Sequence, residues 1–377
     1  METSTPTTAT PKGTIKDTIK VIFSDVDGTL VHYPKTIPDD DPLNNNNNNP
    51  IIRLPPSATG MQGIISSQTF AKCQQIRDTT PDTKLVLVSG MRTTTLLKRL
   101  PFLPKADAYC SEAGGRIFWS RPVSSSSNDN TFVVTPCNGA TDLEPFEIVE
   151  DQEWRRRMQQ THAAGSDGYP SAELTTETTQ PPQPQQVSKR SGALWEFAQK
   201  LLAKGLVLDT NGYATCFRIN RKQQRQQQPQ RNNNNNDDQL LFDQLLQGQI
   251  LPCPPALATS TNLGCIDYYP MESGKLNCCR YVANKLLLLD NSNNNAEEDI
   301  LSKHCVCLCD DDNDLEMALA CQHAFIPGIS STSMANVIGK HPHHFSQTGG
   351  KHSNDGIEGT IATEQALSLV LARLAEG

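Results

Sequence analysis

Asp25 and Asp27 stand two residues apart in "SDVDGT", directly behind the apolar run Val21–Phe23. Like charges this close repel unless something positive completes the site. Three more groups of chemistry-bearing residues follow along the chain. They are Ser89 and Gly90 in "LVSGMR", Lys275 in "ESGKLN", and Asp310, Asn313 and Asp314 in "CDDDND". Brought together, the carboxylates of Asp25, Asp27, Asp310 and Asp314 call for a hard divalent cation with oxygen ligands, and Mg2+ is the natural choice. Lys275 offers a mobile cation and Ser89 a hydroxyl, and both suit phosphate oxygens. Gly28 and Gly90 let the backbone approach closely. The combined chemistry is phosphoryl transfer.

These groups need elements that bring them to one place. "VIF" before Asp25 and "KLVLV" before Ser89 are uninterrupted aliphatic runs, the pattern of strands covered on both faces in a parallel sheet. Gln68–Asp78 sets Phe70, Cys73 and Ile76 near helical spacing, with Ser67 placed to cap it. "MRTTTLLKRL" reads as a helix and Ala106–Cys110 as a third strand. The rhythm returns late in the chain. Ser273–Leu289 is a helix entered at Lys275, His304–Ala320 is a strand, an acidic loop and a helix, "HAFIPG" is a short strand, and Ala362–Ala375 closes as a helix. Alternating strands and helices predict an α/β fold, a doubly wound Rossmann-like parallel sheet. In such sheets ligands bind at the carboxyl ends of the strands, where three of the four groups stand.

The stretch from about Ser120 to Pro270 breaks the rhythm. Trp195–Gly205 is an amphipathic helix with Gly205 as its stop, and "LVLDTNGYATCFRIN" reads as a hairpin turning at Asn211–Gly212. An α+β module inserted into the core is the expectation. Pro34–Pro56, Ser124–Ser127, "TTETTQPPQPQQ" and the Gln/Asn tract at 223–236 read as loops. The expected organisation is a disordered segment 1–18, a first core part 19–119 with its loop at about 34–56, an inserted module 120–270 and a second core part 271–377.

Composition narrows the partners. The 377 residues are 36% hydrophobic, diluted by the polar tracts, and carry a net charge of −8, which argues against a nucleic-acid binder. No apolar run approaches the ~20 residues of a membrane span. The N-terminus lacks an apolar leader, and the 12 cysteines show no disulfide spacing. A reducing cytoplasm is the expected location, with organelle targeting left open. Cys305, Cys307 and Cys309 share a strand face without zinc-finger partners and read as small packing groups. The histidines of "HPHHF" (His341–Phe345) and the arginines of "EWRRRM" (Glu153–Met158) read as solvent-facing, the latter with contact to an anionic substrate as the alternative.

"DVDGT", Ser89 in "LVSGMR", Lys275, and Asp310 with Asn313 and Asp314 resemble, in order and context, the four motifs of the haloacid dehalogenase-like (HAD) hydrolase superfamily. The resemblance covers about Val21–Ser120 and Gly264–Ala324. The place of the insertion, after Ser89 and before Lys275, resembles that of C2-type caps in the sucrose-phosphatase-like and Cof-type sugar phosphatases. Ala113 stands where that group usually has Asn, and Cys309 where Gly is usual. Within the triple acid 310–312, Asp310 matches by its offset from Asn313–Asp314. The resemblance implies a Mg2+-dependent phosphatase of a small phosphorylated metabolite, a sugar phosphate, acting through an aspartyl-phosphate. Asp25 would be the nucleophile and Asp27 the general acid and base. Ser89, Gly90, Lys275 and Asn313 would bind phosphate. Asp25, Asp310, Asp314 and the main-chain carbonyl of Asp27 would serve the metal site. A sugar phosphomutase of phosphomannomutase type and a catalytically silent binding protein of the same fold are the alternatives. Oligomeric state is not legible.

Overall fold

The computed structural model describes residues 18–34, 50–57, 60–124, 131–137, 144–160, 187, 190–221, 223–224, 235–262, 264–288, 300–350 and 356–376. The expected N-terminal segment, most of the loop from Pro34, and most of the tracts at 124–127, 175–186 and 223–236 lie outside the described residues.

Side chains alternate across a strand, and here both faces of the alternation are apolar. In β1 (Val21–Ser24), Ile22 joins one buried cluster while Val21 and Phe23 join another. A short antiparallel pair follows, β2 (Ile51–Arg53) with β3 (Ile64–Ser66). The expected loop therefore ends sooner than Pro56, because Ile51–Arg53 pair with β3, Ile52 opposite Ile65. Helix α1 (Ser67–Thr79) starts on Ser66 rather than Ser67, and the Ser66 hydroxyl accepts from the Thr69 amide at 3.1 Å. Then come β4 (Lys84–Val88), α2 (Thr93–Arg99) and β5 (Ala108–Ser111).

The next three strands correct the expected boundary at 120. β6 (Arg116–Pro122), β7 (Thr131–Val134) and β8 (Phe146–Glu150) are antiparallel additions to the main sheet, not part of the inserted module. Phe118, Phe146 and Ile148 are buried in the same cluster as Ile22, and that burial decides their allegiance. Helix α3 (Gln152–Gln160) packs Trp154 and Met158 onto the opposite face, so "EWRRRM" belongs to the core. Two of its arginines are engaged, Arg155 with Glu150 and Arg157 with Glu153.

The inserted module is smaller than expected. It contains α4 (Ala193–Ala203), β9 (Phe217–Asn220), α5 (Asn235–Leu246), β10 (Leu257–Asn262) and β11 (Cys265–Pro270). Its antiparallel sheet has the order β10-β11-β9, and Trp195, Phe197 and Leu201 of α4 pack on Phe217, Ile219, Ile266 and Tyr268. The expected hairpin survives as one bridge, in which Asp209 and Arg218 exchange backbone hydrogen bonds of 2.8 and 2.9 Å. The ladder partner of β9 is β11 instead.

The chain re-enters the core through α6 (Lys275–Leu288) and α7 (Ile300–His304). β12 (Cys305–Leu308), α8 (Leu315–Ala320), β13 (His323–Ile326), α9 (Thr332–Lys340), β14 (Phe345–Gln347) and α10 (Gly356–Glu376) complete it. The nine-stranded sheet runs β14-β13-β12-β1-β4-β5-β6-β8-β7, parallel from β14 to β5. Helices α1 and α10 cover one face, and α6 and α8 the other. The result is a doubly wound α/β core. The chain leaves β1 toward β4 on one side, while β12 pairs on the other. That reversal opens a crevice at the carboxyl ends of β1 and β12, where a ligand site is expected.

Candidate active site

Asp25 follows β1 directly, and its amide donates to the Leu308 carbonyl of β12 at 2.9 Å. Asp310 lies two residues beyond β12, so parallel pairing alone brings the two acids to the same mouth. Asp314 closes a 3-10 turn over Asp312–Asp314 and is fully buried. Asp25, Asp310 and Asp314 each offer an oxygen, and these oxygens lie within 4.8 Å of one another.

Lys275 opens α6 and reaches into this cluster. Its Nζ donates to Asp25 Oδ1 and to Asp314 Oδ1, both at 2.6 Å. Lys275 is 4% exposed, so both ion pairs are shielded from water. Burial alone pulls its ammonium down, but Asp25 and Asp314 outweigh that and hold it above the usual lysine range. One lysine does not neutralise three acids. Burial pushes Asp25 up to about 8 and Asp314 up to about 6, with Lys275 opposing in both cases.

The turn after β1 shapes the rim. Gly28 has φ 93°, a left-handed conformation that favours glycine, and a Cβ there would sit 2.3 Å from Asp310 Oδ2. The hydroxyl of Thr29 donates to Asp310 Oδ1 at 2.8 Å. In the sequence Thr29 is only a part of "DVDGT"; the structure gives it a specific task, holding Asp310. Ser89 follows β4 and is 1% exposed, and its Oγ accepts from the Met91 amide at 3.1 Å, which orients the hydroxyl. Gly90 beside it is buried. Asn313 lies in the same 3-10 turn as Asp314.

Asp27 goes elsewhere. Its carboxylate is not one of the three that converge. Oδ1 accepts from Arg99 Nη1 at 2.9 Å and from the Tyr33 hydroxyl. Only its main-chain carbonyl remains for the metal role that the motif implies. Arg99 and Tyr33 escaped sequence reading. Arg99 looks like a cation at the end of a helix, and nothing near it in sequence announces a partner 72 residues upstream.

The residues present fit a divalent cation. Asp314 Oδ2 and Asn313 Oδ1 are buried and have no hydrogen-bond partner among the described residues. Three acids against one lysine leave the site short of positive charge, which a hard dication with oxygen ligands would supply. Among the described residues this is the one cluster that could hold a metal. The cysteine stripe is buried in the core as free thiols, and His344 pairs with the Ala318 carbonyl at 2.8 Å.

The inserted module docks beside this mouth. Glu112 is fully buried and accepts, through Oε2, from the amides of Ala214 and Thr215 at 2.8 Å each and the Thr215 hydroxyl at 2.9 Å. Arg92, at the start of α2, pairs with Asp209 at 2.5 Å and donates to the Asn211 carbonyl at 2.7 Å. Strand β10 runs beside the 3-10 turn of Asp314.

No family model matches the chain, and no curated protein matches it in sequence. Several solved structures are similar to it. A sucrose-phosphatase from Synechocystis, solved with sucrose and phosphate, is 12% identical with a TM-score of 0.46, covering 91% of this chain and 97% of that one. A haloacid dehalogenase-like hydrolase protein from Bacillus subtilis is 12% identical with a TM-score of 0.43, covering 96% and 94%. A trehalose-6-phosphate phosphatase from Aspergillus fumigatus is 11% identical with a TM-score of 0.35, covering 93% and 92%.

Proposed function

We propose that the chain is a Mg2+-dependent phosphomonoesterase of the HAD type, acting on a small phosphorylated metabolite of the sugar phosphate class. One observation carries the reading. Asp25, Asp310, Asp314 and Lys275 converge, buried, at the switch point of a parallel sheet. An acidic cluster built around a buried lysine is what a site for a transferring phosphoryl group requires.

Asp25 attacks phosphorus, and the bond to the leaving oxygen breaks to give an aspartyl-phosphate. Lys275 and Ser89 hold the phosphoryl oxygens in place, with Gly90 and Asn313 at the same end. Asp27 passes a proton to the leaving oxygen, then takes one from the water that frees Asp25. Asp25 must be ionised to attack, and burial opposes this. Mg2+ would be held by Asp25, Asp310, Asp314 and the Asp27 carbonyl, and it would supply the missing positive charge. The docked module excludes water and carries the substrate's other contacts. The free thiols suit a reducing, cytoplasmic setting.

The experiment is phosphate release from a panel of sugar phosphates with Mg2+, with product analysis. Asp25→Asn should abolish turnover while the fold is retained. Unchanged turnover in that variant would overturn the nucleophile. Isomerised sugar phosphate without free phosphate would replace the phosphatase by a mutase.

A further inference from the structure

Arg99 ends α2 and its side chain is 1% exposed. A guanidinium so far from water needs a reason, because an aliphatic side chain would fill the space without desolvating a charge. The usual reason, a cation against the last carbonyls of its own helix, does not apply. Nη1 donates to Asp27 Oδ1 at 2.9 Å and to the Tyr33 hydroxyl at 2.7 Å, and Nε faces the Pro55 carbonyl at 3.3 Å. The Tyr33 hydroxyl in turn donates to the same Oδ1, and the Arg99 guanidinium lies over its ring, 5.6 Å from the centroid. Two donors, one from the end of α2 and one from the segment after β1, meet on one carboxylate oxygen.

The pairing is one-sided. Arginine commonly grips a carboxylate with two parallel bonds. Here Nη2 is buried with no hydrogen-bond partner among the described residues, and neither Arg99 nor Tyr33 bonds Oδ2. The Asp27 side chain keeps 22% of its surface exposed.

We propose that Arg99 and Tyr33 are positioning residues that hold Asp27 by Oδ1 and thereby assign proton exchange to Oδ2. The inference rests on the phosphatase reading. As the bond from phosphorus to the leaving oxygen breaks, the Oδ2 proton moves to that oxygen and leaves as the alcohol. Oδ2 then takes a proton from the attacking water as phosphate departs and Asp25 regains its carboxylate. Without the two anchors, the Asp27 side chain rotates freely, and a misplacement of about 1 Å lowers the rate by ~100-fold.

The test compares Tyr33→Phe, Arg99→Met, Arg99→Lys and Asp27→Asn on two esters with Mg2+. The esters are p-nitrophenyl phosphate, whose leaving group needs no proton, and the sugar phosphate turned over fastest in the panel. kcat/KM reports cleavage of the first phosphorus–oxygen bond. For the sugar ester it should fall by about 10- to 100-fold in Tyr33→Phe and Arg99→Met, within the ~100- to 10,000-fold span of general acid catalysis. For p-nitrophenyl phosphate it should stay within about twofold, since no proton is needed there. Arg99→Lys should recover part of the loss. Neither Tyr33→Phe nor Arg99→Met should add to Asp27→Asn. Equal losses on both esters, or losses that add to Asp27→Asn, would overturn the inference. Tyr33→Phe removes one oxygen and keeps the test alive if Arg99→Met does not fold. Should Asp25→Asn and Asp27→Asn behave as the phosphatase reading requires while Tyr33→Phe and Arg99→Met match the wild type, the inference fails alone. A wild-type chain that hydrolyses neither ester takes both down.

Discussion

At the scale of single residues, the site is a problem of charge. Asp25 and Asp314 tolerate burial because Lys275 bridges them at 2.6 Å on each side. Removing one partner of a buried ion pair costs about 3–5 kcal/mol, since the other charge is left behind in low dielectric. Lys275→Met should therefore lower the melting temperature of the metal-free chain markedly at pH 8 and above, where Asp25 gives up its proton, and abolish turnover. Thermal unfolding with and without Mg2+ checks this, and the deficit should shrink when Mg2+ is added. A variant as stable as the wild type would mean that the acids are neutral in the folded state. Asp25, Ser89, Lys275 and Asp310 were all legible in the sequence. Each sits beside its own strand end or helix start, so local pattern was enough. Arg99 was not, because its partner lies 72 residues upstream, and Tyr33 was not, because only the arrival of Arg99 shows what its hydroxyl helps to hold.

At the scale of elements, the junction between core and inserted module rests on strained backbone. Glu112 and Ala113 have φ of 55° and 54°, left-handed values that non-glycine residues adopt at a cost of roughly 1–3 kcal/mol each. Such strain persists where the surroundings over-determine it. Here the Glu112 carboxylate takes three bonds from Ala214 and Thr215, and Thr93 donates to its other oxygen at 2.7 Å. Gly115 lets the two parts approach, since a Cβ there would lie 1.9 Å from Thr215 Oγ1. Glu112→Ala leaves two amides without their acceptor, at about 1–3 kcal/mol for each buried donor. The expected result is faster hydrogen exchange at 213–217 and a raised KM with the core still folded. Exchange at the wild-type rate would show that the module docks by other contacts. None of this was readable from "SEAGG", whose glutamate could equally have faced solvent.

At the scale of the whole molecule, the acid cluster links stability to pH and to metal. Asp25 is pushed up to about 8 and Asp314 to about 6, from an ordinary 3.8. A carboxyl raised on folding binds its proton more tightly in the native chain than in the unfolded one. Its contribution is fully present below about 4 and is lost as pH rises through the folded value. The metal-free chain should therefore lose melting temperature between about pH 4 and 8 from this site. Mg2+ should offset the loss, most strongly at the upper end, where the carboxyls are free of protons. A ligand at 100 times its dissociation constant stabilises by about 2.7 kcal/mol. Calorimetric scans at pH 5, 6.5 and 8, in EDTA and in Mg2+, read both trends. A melting temperature that ignores Mg2+ at pH 8 would remove the metal site.

The sequence by itself determined the doubly wound core, because the central parallel strands β1, β4 and β12 are buried on both faces and their apolar runs show locally. It also determined which acids stand at strand ends. Only the tertiary structure decided where the inserted module begins. β6, β7 and β8 read like any antiparallel strands, and it is the burial of Phe118, Phe146 and Ile148 beside Ile22 that assigns them to the main sheet. Only the tertiary structure separated the two acids of "SDVDGT". Asp25 turns toward Lys275 and the other acids, while Asp27 turns toward Arg99 and Tyr33. Two residues of spacing set their proximity. The direction of a side chain depends on what packs beside it, and the deciding cations, Lys275 and Arg99, come from far along the chain.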